Sequence, residues 1–470
     1  MARAEKTSSK RSKSPSQSLF KSAPAQVMVP RLMVILSTLG LVILGLVMVY
    51  SSSSITAFVE AGDSSGEAIK QCVFVIIGTV AAVAVALCVK YEFMRGIGGL
   101  IFWGVCVVLL LITSLLGTVG LGAKRWLLIG PISIQISEFA KIAFIIMAAR
   151  IAQDYRYGAI DANEMIKQAI IFVILPLGFL FITQSDLGTT LICCVGLLVV
   201  LWLSGVSNRT MLALFAVGAI FALFAILVSS YRADRLSNFL DPWADEQGSG
   251  YQLVHSFKAL AAGGLFGVGI GNSYEKLQYL PEAETDFIFA IIGEELGLVG
   301  ALLVIAAFLV FLRGGFLIAS QARTPFGGFI AAGLATMLVF QAFLNIACVT
   351  GLFPTTGKPL PFISSGGSSM ISSLMLVGVI LSISFDSHNE GEYRQRRENL
   401  HVVSTYSGPH RQGSTVHKST APHRSPQRNR TPQPLKGNAL RPSFQVVQGS
   451  GGRVHPSYRA ESQFSRVPRR

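Results

Sequence analysis

The chain has 470 residues, 51% of them hydrophobic and only 14% charged, and its mean hydropathy is +0.55. A soluble domain of this length needs a charged surface that this composition does not supply, so an ordinary cytosolic enzyme is excluded and a polytopic membrane protein is indicated. The net charge of +14 sits at the ends, with seven Lys/Arg against one acid in residues 1–31 and fifteen against five in residues 386–470. A nucleic-acid-binding core is therefore not indicated.

Residues 1–30 are polar and basic with no helical or strand period, and are expected to form a disordered tail. A transmembrane helix needs roughly 20 apolar residues. Runs that qualify lie near 31–51, 69–89, 98–117, 137–152, 167–183, 187–204, 210–229, 287–312, 326–349 and 367–385. The expected fold is all-α, a membrane domain of about ten spans over residues 31–386. The first span follows a basic tail and precedes the loop 52–68, which carries no Lys or Arg, so it reads as a signal anchor with the N-terminus inside. Ten spans return the C-terminus inside, where residues 387–470 form a second disordered basic tail suited to an anionic leaflet or an acidic partner. Six cysteines (Cys72, Cys88, Cys106, Cys193, Cys194 and Cys348) lie in apolar runs without metal-ligand spacing and read as small core hydrophobes.

On this topology the inner and outer loops carry eight basic residues each, against the usual inside bias. The outer ones cluster around residue 124 and between 230 and 285. An anionic ligand outside would explain them, and so would simple solvation of a long loop. The outer segment 230–285 is the longest stretch between spans. Structureless loops of this size are uncommon unless functional. Its glycines at 263, 264, 267, 269 and 271 could cradle a phosphate, but a nucleotide fingerprint needs a strand before and a helix after, so no nucleotide is expected. A flexible or re-entrant turn facing a lipid headgroup is the better reading.

The segment ends in Glu282, Glu284 and Asp286, directly before an apolar run. Asp286 reads either as a helix N-cap or as a general base, its pKa raised by crowding and burial or lowered by the helix terminus. Glu294 and Glu295 follow about 12 Å along the helix, at 1.5 Å per residue, inside the hydrocarbon. Carboxylates there call for a cavity or a cation, and Lys141, one turn from Glu138, is the candidate partner. The proline-punctuated loop 350–369 adds Lys358, and the turn 184–189 adds Asp186 to the same face.

These segments together resemble the SEDS family (shape, elongation, division and sporulation), which includes FtsW, RodA and SpoVE. The resemblance runs from about residue 31 to 386 and rests on GAKRW (122–126), SEFAK (137–141), QSDLGT (184–189) and YRADRLSNFLDPW with GYQLVHS (231–256). It continues through GVGIGNSYEKLQYLPEAETDFIFAIIGEELG (267–297) and PTTGKPLPFISSGGSS (354–369). NSYEKLQYLPEA and the TTG before KPLPF look more like the FtsW branch than the RodA branch. Three departures stand out: Glu284 where the family often has His, Ser365 where it often has Tyr, and QSDLG in place of QPDLG.

The resemblance implies a peptidoglycan glycosyltransferase that polymerises lipid II into glycan strands in the bacterial cytoplasmic membrane. It would act at the division septum, with a cognate class B penicillin-binding transpeptidase and other divisome proteins. The family's essential aspartate carries over onto Asp286, and its Arg-Trp and Ser-Glu-x-x-Lys motifs onto Arg125, Trp126, Glu138 and Lys141. Lys276 and Lys358 join the expected headgroup-binding residues. Glu282, Glu294, Glu295 and Asp186 are expected supporting carboxylates or cation ligands, with Mg²⁺ or Mn²⁺ as the expected ion. Rival readings are a lipid II flippase, a RodA-like elongation polymerase, or a scaffold whose tails recruit division proteins. The carboxylate and basic motifs gather on the outer side, which favours the enzyme.

Overall fold

The computed structural model describes residues 25–61, 65–120, 123–130, 132–228 and 230–398. Residues 1–24 and 399–470 of the expected disordered tails lie outside these residues, but residues 25–30 and 387–398, also expected to be disordered, are helical, as the first turns of α1 and the end of α14. Helices form at all ten expected runs. They are α1 (Ala25–Ala61), α2 (Gly66–Cys88), a short α3 (Tyr91–Arg95), α4 (Ile97–Leu116), α5 (Ile136–Arg156), α6 (Ala162–Ala169) and α7 (Leu175–Gln184). There follow α8 (Leu187–Leu203), α9 (Asn208–Val228), α10 (Ser230–Leu240), α11 (Tyr251–Gly263), α12 (Ile288–Ser320), α13 (Pro325–Val349) and α14 (Gly367–Glu398). Among the described residues, eight helical stretches are long and apolar enough to cross a membrane, with α6 and α7 counting as one. The other two expected runs fall short for different reasons. α8 is apolar but has 17 residues, whereas α5 carries Glu138, Lys141 and Arg150.

One element departs from the all-α expectation. Three antiparallel strands, β1 (Thr118–Gly120), β2 (Ala123–Ile129) and β3 (Ile132–Ile134), join α4 to α5 in the order β1-β2-β3. Trp126 pairs with Thr118 and Ile129 with Ile132. The run of aromatic, β-branched and leucine residues favours a strand, and Gly130 at φ 62 turns the β2–β3 hairpin.

α6 and α7 are continuous through a π-helical turn at Ile170–Ile174. Pro176 has no N–H to offer the carbonyl of Phe172 four residues earlier, and Trp103 Nε1 occupies that carbonyl instead at 2.7 Å. A proline-induced defect thus becomes a tie between α4 and this span.

The core is built on α12, α13 and α14, with α1 packed along α12 and α2 along α14. Phe308, Phe311, Phe326 and Phe362 are fully buried there. At the edge, α9 buries only Ala225. The 230–285 segment is not a structureless loop. It holds α10, a 3₁₀ turn at Pro242–Asp245 and α11, and its glycine-rich end folds back on α12. α12 is broken at Gly297 (φ 67, ψ −169). A Cβ at that position would collide with the backbone of Leu265 and Gly267, so a side chain is excluded twice, by conformation and by space.

Candidate functional site

Asp286 does not cap α12. The N-cap position belongs to Phe287, which makes no side-chain cap bond. The Asp286 carboxylate is partly buried, and among the described residues no donor hydrogen-bonds to it. Its main-chain carbonyl is held instead, accepting from Asn345 Nδ2 at 2.7 Å. Gly357 (φ 67) separates the carboxylate from a guanidinium: a Cβ there would lie 3.3 Å from Asp286 Oδ2 and 3.9 Å from Arg235 Nη1. Arg235 Nη1 also donates to the Thr355 carbonyl at 2.7 Å. Burial, then the charge of Glu282, push the Asp286 pKa up to about 6, while Lys358 and Arg235 pull the other way. A carboxylate in that range suits proton transfer near neutral pH.

Lys358 joins this aspartate to a second one. Its Nζ lies 2.6 Å from Asp186 Oδ2 in a pair that is almost fully buried. Asp186 caps α8, accepting from Thr189 N at 2.9 Å and from Thr189 Oγ1 at 2.8 Å. Burial alone would raise its pKa, but Lys358, the Thr189 amide and Arg125 outweigh it and bring the group down to about 2. Asp186 therefore stays ionised while Asp286 can exchange a proton. The contrast comes first from the Lys358 charge against Asp186, then from the hydrogen bonds that Asp186 has and Asp286 lacks among the described residues.

Arg125 sits on β2, beside the half-buried Trp126. Its Nε donates to the Gln184 carbonyl at 2.8 Å and its Nη2 to Ser185 at 3.2 Å. It thus closes the C-terminus of α7, where Ser185 is left-handed (φ 48). One turn into α5, Lys141 pairs with Glu138 at 3.0 Å and donates to Gln341 Oε1 at 2.6 Å. Gln341 Nε2 in turn donates to the Pro359 carbonyl at 3.0 Å. The expected residues Arg125, Glu138, Lys141, Asp186, Asp286 and Lys358 are thus linked through α5, α8, α13 and the 355–360 segment. Within this region Glu138 Oε1, both amide atoms of Gln184 and Asn345 Oδ1 are buried without a protein partner among the described residues.

Three readings need correction. Lys141 does not answer Glu294 and Glu295, which belong to a separate cluster. Glu295 pairs with Lys276 at 3.0 Å, and Ser51 of α1 donates to Glu295 at 2.6 Å while accepting from Lys276 at 3.0 Å. Glu294 accepts from Ser273 Oγ and, at 2.8 Å, from Tyr274 N. Lys276, expected among headgroup-binding cations, is therefore buried against a carboxylate, because the 271–276 turn packs onto the broken α12. The glycine stretch is likewise no open phosphate cradle. The amides of Val268 and Gly269 already donate to the Glu294 and Glu295 carbonyls at 2.9 and 3.0 Å.

Arg235, Asn345 and Gly357 were not singled out by sequence reasoning. A signal for Asn345 does exist: with Gln341 it forms an i, i+4 polar pair inside an otherwise apolar span, which marks a functional face. Among the described residues no group of three His, Cys, Asp or Glu could hold a metal ion.

Residues 31–389 match the family model described as a cell cycle protein of the FtsW, RodA and SpoVE group. The chain is 36% identical over 364 residues to "Stage V sporulation protein E" of Bacillus subtilis (strain 168), covering 76% of this chain and 97% of that one. It is 37% identical over 361 residues to "Probable peptidoglycan glycosyltransferase FtsW" of Geobacter metallireducens, covering 75% and 94%. Among solved structures the fold is similar to a chain of a peptidoglycan synthase complex that coordinates polymerization and crosslinking. The TM-score is 0.62 at 22% identity, covering 78% of this chain and 99% of that one. It is also similar to the rod shape determining protein RodA of Thermus thermophilus, with TM-score 0.56 at 22% identity, covering 78% and 98%.

Proposed function

The chain belongs to the FtsW/RodA/SpoVE family of cell cycle proteins, and from that premise we propose that it is a peptidoglycan glycosyltransferase that polymerises lipid II into glycan strands. The reading places it in the bacterial cytoplasmic membrane at the division septum, with ten spans, both termini cytoplasmic and the 230–285 segment outside. Its partners would be a class B penicillin-binding transpeptidase and other divisome proteins.

The observation that carries the reading is Asp286, a partly buried carboxylate to which no described residue donates a hydrogen bond, its pKa raised to about 6, between Arg235 and Lys358. In the proposed step Asp286 takes the proton of the acceptor sugar hydroxyl as that oxygen bonds to the anomeric carbon of the donor. The bond from that carbon to the pyrophosphate breaks, and its electron pair leaves on the polyprenyl pyrophosphate. Arg235 and Arg125 are the cations nearest at hand to stabilise the departing charge, whereas Lys358 is buried against Asp186 and acts on Asp286 through its field. Mg²⁺ or Mn²⁺ is proposed only as a counter-ion of the substrate's own pyrophosphate, and no step is derived through it.

The flippase alternative needs charges that line a path across the membrane. Glu138–Lys141 and Glu295–Lys276 are instead closed, buried pairs, which supports the enzyme. The test is polymerisation of labelled lipid II by the purified protein, alone and with its transpeptidase. Glycan strands that disappear in Asp286→Asn are expected. No strands from the wild-type pair, together with lipid II translocation in vesicles, would overturn the polymerase in favour of transport.

A further inference from the structure

The 230–285 segment holds a cavity that the proposed proton transfer does not use. It has a volume of about 470 Å³ and opens where the turn before α11, the first residues of α11 and Pro281 meet. None of the described residues lining it is charged. Its walls carry the amides of Gln247 and Gln252 and the hydroxyl of Ser249, beside the ring of Tyr251 and the flat face of Pro281. Ser249 is fixed, its Oγ donating to Asn238 Oδ1 and its amide to Asp245 Oδ2, each at 2.8 Å. The side chains of Gln247 and Gln252 have no hydrogen-bond partner among the described residues.

Tyr251 also begins a row of rings that leads away from the cavity. His255, one turn along α11, lies 4.2 Å from it between centroids. Tyr279 follows at 6.2 Å from His255 with planes 12° apart, and Tyr274 at 4.8 Å from Tyr279 with planes 16° apart. Two polar contacts hold the row: His255 Nδ1 lies 2.6 Å from Oε2 of the buried Glu275, and Tyr274 Oη donates to Tyr279 Oη at 3.0 Å. Tyr274 and Tyr279 nonetheless stay 58% and 39% exposed. Gln278 (φ 66) and Glu282 (φ 57) are left-handed non-glycine residues on either side of Tyr279–Pro281. Such conformations persist only where the surrounding fold imposes them, and they gather at binding and active sites. Pro281 precedes Asp286 by five residues, so no more than roughly 18 Å of chain separates the cavity wall from the proposed base.

Uncharged hydrogen-bonding groups beside exposed ring faces suit a sugar, whose hydroxyl and N-acetyl groups need partners and whose C–H faces stack on aromatic rings. They do not suit a pyrophosphate, which needs cations and would here meet the neighbouring acids Asp245, Glu246 and Glu282. We propose that this cavity and the tyrosine row bind the N-acetylated sugar backbone of the growing glycan strand. The identity of the strand rests on the polymerase reading, but sugar binding is measured without turnover, so the two fail separately.

The experiment uses the purified full chain in nanodiscs with chitotetraose, an N-acetylglucosamine oligomer free of lipid and phosphate, carrying a photoreactive group. Label should fall on peptides spanning 247–252 and 274–281 of the wild-type protein. Gln252→Ala should lower it about fivefold, the change for one lost hydrogen bond. Tyr274→Ala should lower it about threefold or more, whereas Tyr274→Phe keeps the ring face and should retain it. Equal labelling in all variants, or label confined to other peptides, would overturn the site. Displacement of the label by inorganic pyrophosphate would make this a headgroup site instead, and its loss on binding of the transpeptidase would make it a protein-docking face. A second reading takes the product: at equal consumption of lipid II, Gln252→Ala/Tyr274→Ala should release shorter strands than wild type, and strands of unchanged length count against the proposal. Label on these peptides without polymerisation would keep the sugar site and reject the polymerase, and polymerisation without label would do the reverse.

Discussion

Asn345 holds Asp286 by its backbone. The Asn345 Nδ2 donates at 2.7 Å to the Asp286 carbonyl and at 2.8 Å to that of Lys358, so one buried amide ties the proposed base to the cation that lowers its pKa. Asn345→Ala leaves two carbonyls without their donor, at a cost of about 1–3 kcal/mol for each one that stays buried. Lipid II polymerisation is expected to fall about tenfold or more, since sub-ångström placement of a base governs its rate. The acid limb of the pH–rate profile should also move upward as Lys358 drifts from Asp286. A variant with lowered melting temperature but an unmoved pH profile would make Asn345 a structural residue only.

Gly357 makes a second, local prediction. At φ 67, a non-glycine residue is strained by roughly 1–2 kcal/mol. Its Cβ would also stand 3.3 Å from Asp286 Oδ2. Gly357→Ala should therefore impair polymerisation far more than Gly351→Ala, another left-handed glycine (φ 69) whose Cβ would meet Phe257 and not the carboxylate. Equal losses in both would mean that local strain and crowding, and not the approach to the carboxylate, account for the effect.

Much of this was legible in the sequence because apolar runs and polar intrusions are one-dimensional signals. The ten helix positions follow from run length, and Glu138–Lys141 follows from i, i+3 spacing. What sequence could not assign is which distant charge answers which. Lys276 pairs with Glu295, across a helix break that only Gly297 betrays, while Lys141 turns to Gln341 on another span. The strands at 118–134 were hidden because a short hairpin between spans has too few residues to show a period. The departures at Glu284 and Ser365 are visible in sequence as separate oddities. In the fold they meet, with Ser365 N donating to the Glu284 carbonyl at 2.8 Å.

Lys276 separates structural from substrate-binding roles. Its partner Glu295 is wholly buried, so Lys276→Ala should destabilise the protein by roughly 3–5 kcal/mol through an uncompensated charge. Replacing both members, as Lys276→Met with Glu295→Leu, should recover most of that loss, because an apolar pair of similar volume needs no neutralisation. Thermal unfolding in one detergent reads both variants. A Lys276→Ala protein as stable as wild type but weak in donor binding would return this lysine to the headgroup site.

Asp286 carries the most discriminating prediction, because its activity and its stability should depend on pH in opposite directions. Its pKa rises from an ordinary 3.8 to about 6 through burial and Glu282. The folded protein thus binds this proton more tightly than the unfolded chain does. Its contribution to stability is full below about pH 4 and is lost as pH rises through 6. A base must be deprotonated to act, so the polymerisation rate should instead climb through pH 6 and level off above it. Asp286→Asn removes both behaviours. Polymerisation should fall by roughly 10²–10⁴, the range for loss of a general base. Stability at pH 7–8 should not fall and should rise slightly, since no cap bond is lost and a poorly solvated charge disappears. Asp286→Asn that unfolds at neutral pH would point to a structural carboxylate. A rate profile whose midpoint shifts with Mg²⁺ or Mn²⁺ would show Asp286 acting as a cation ligand, whereas a midpoint fixed near 6 at every metal concentration identifies the base.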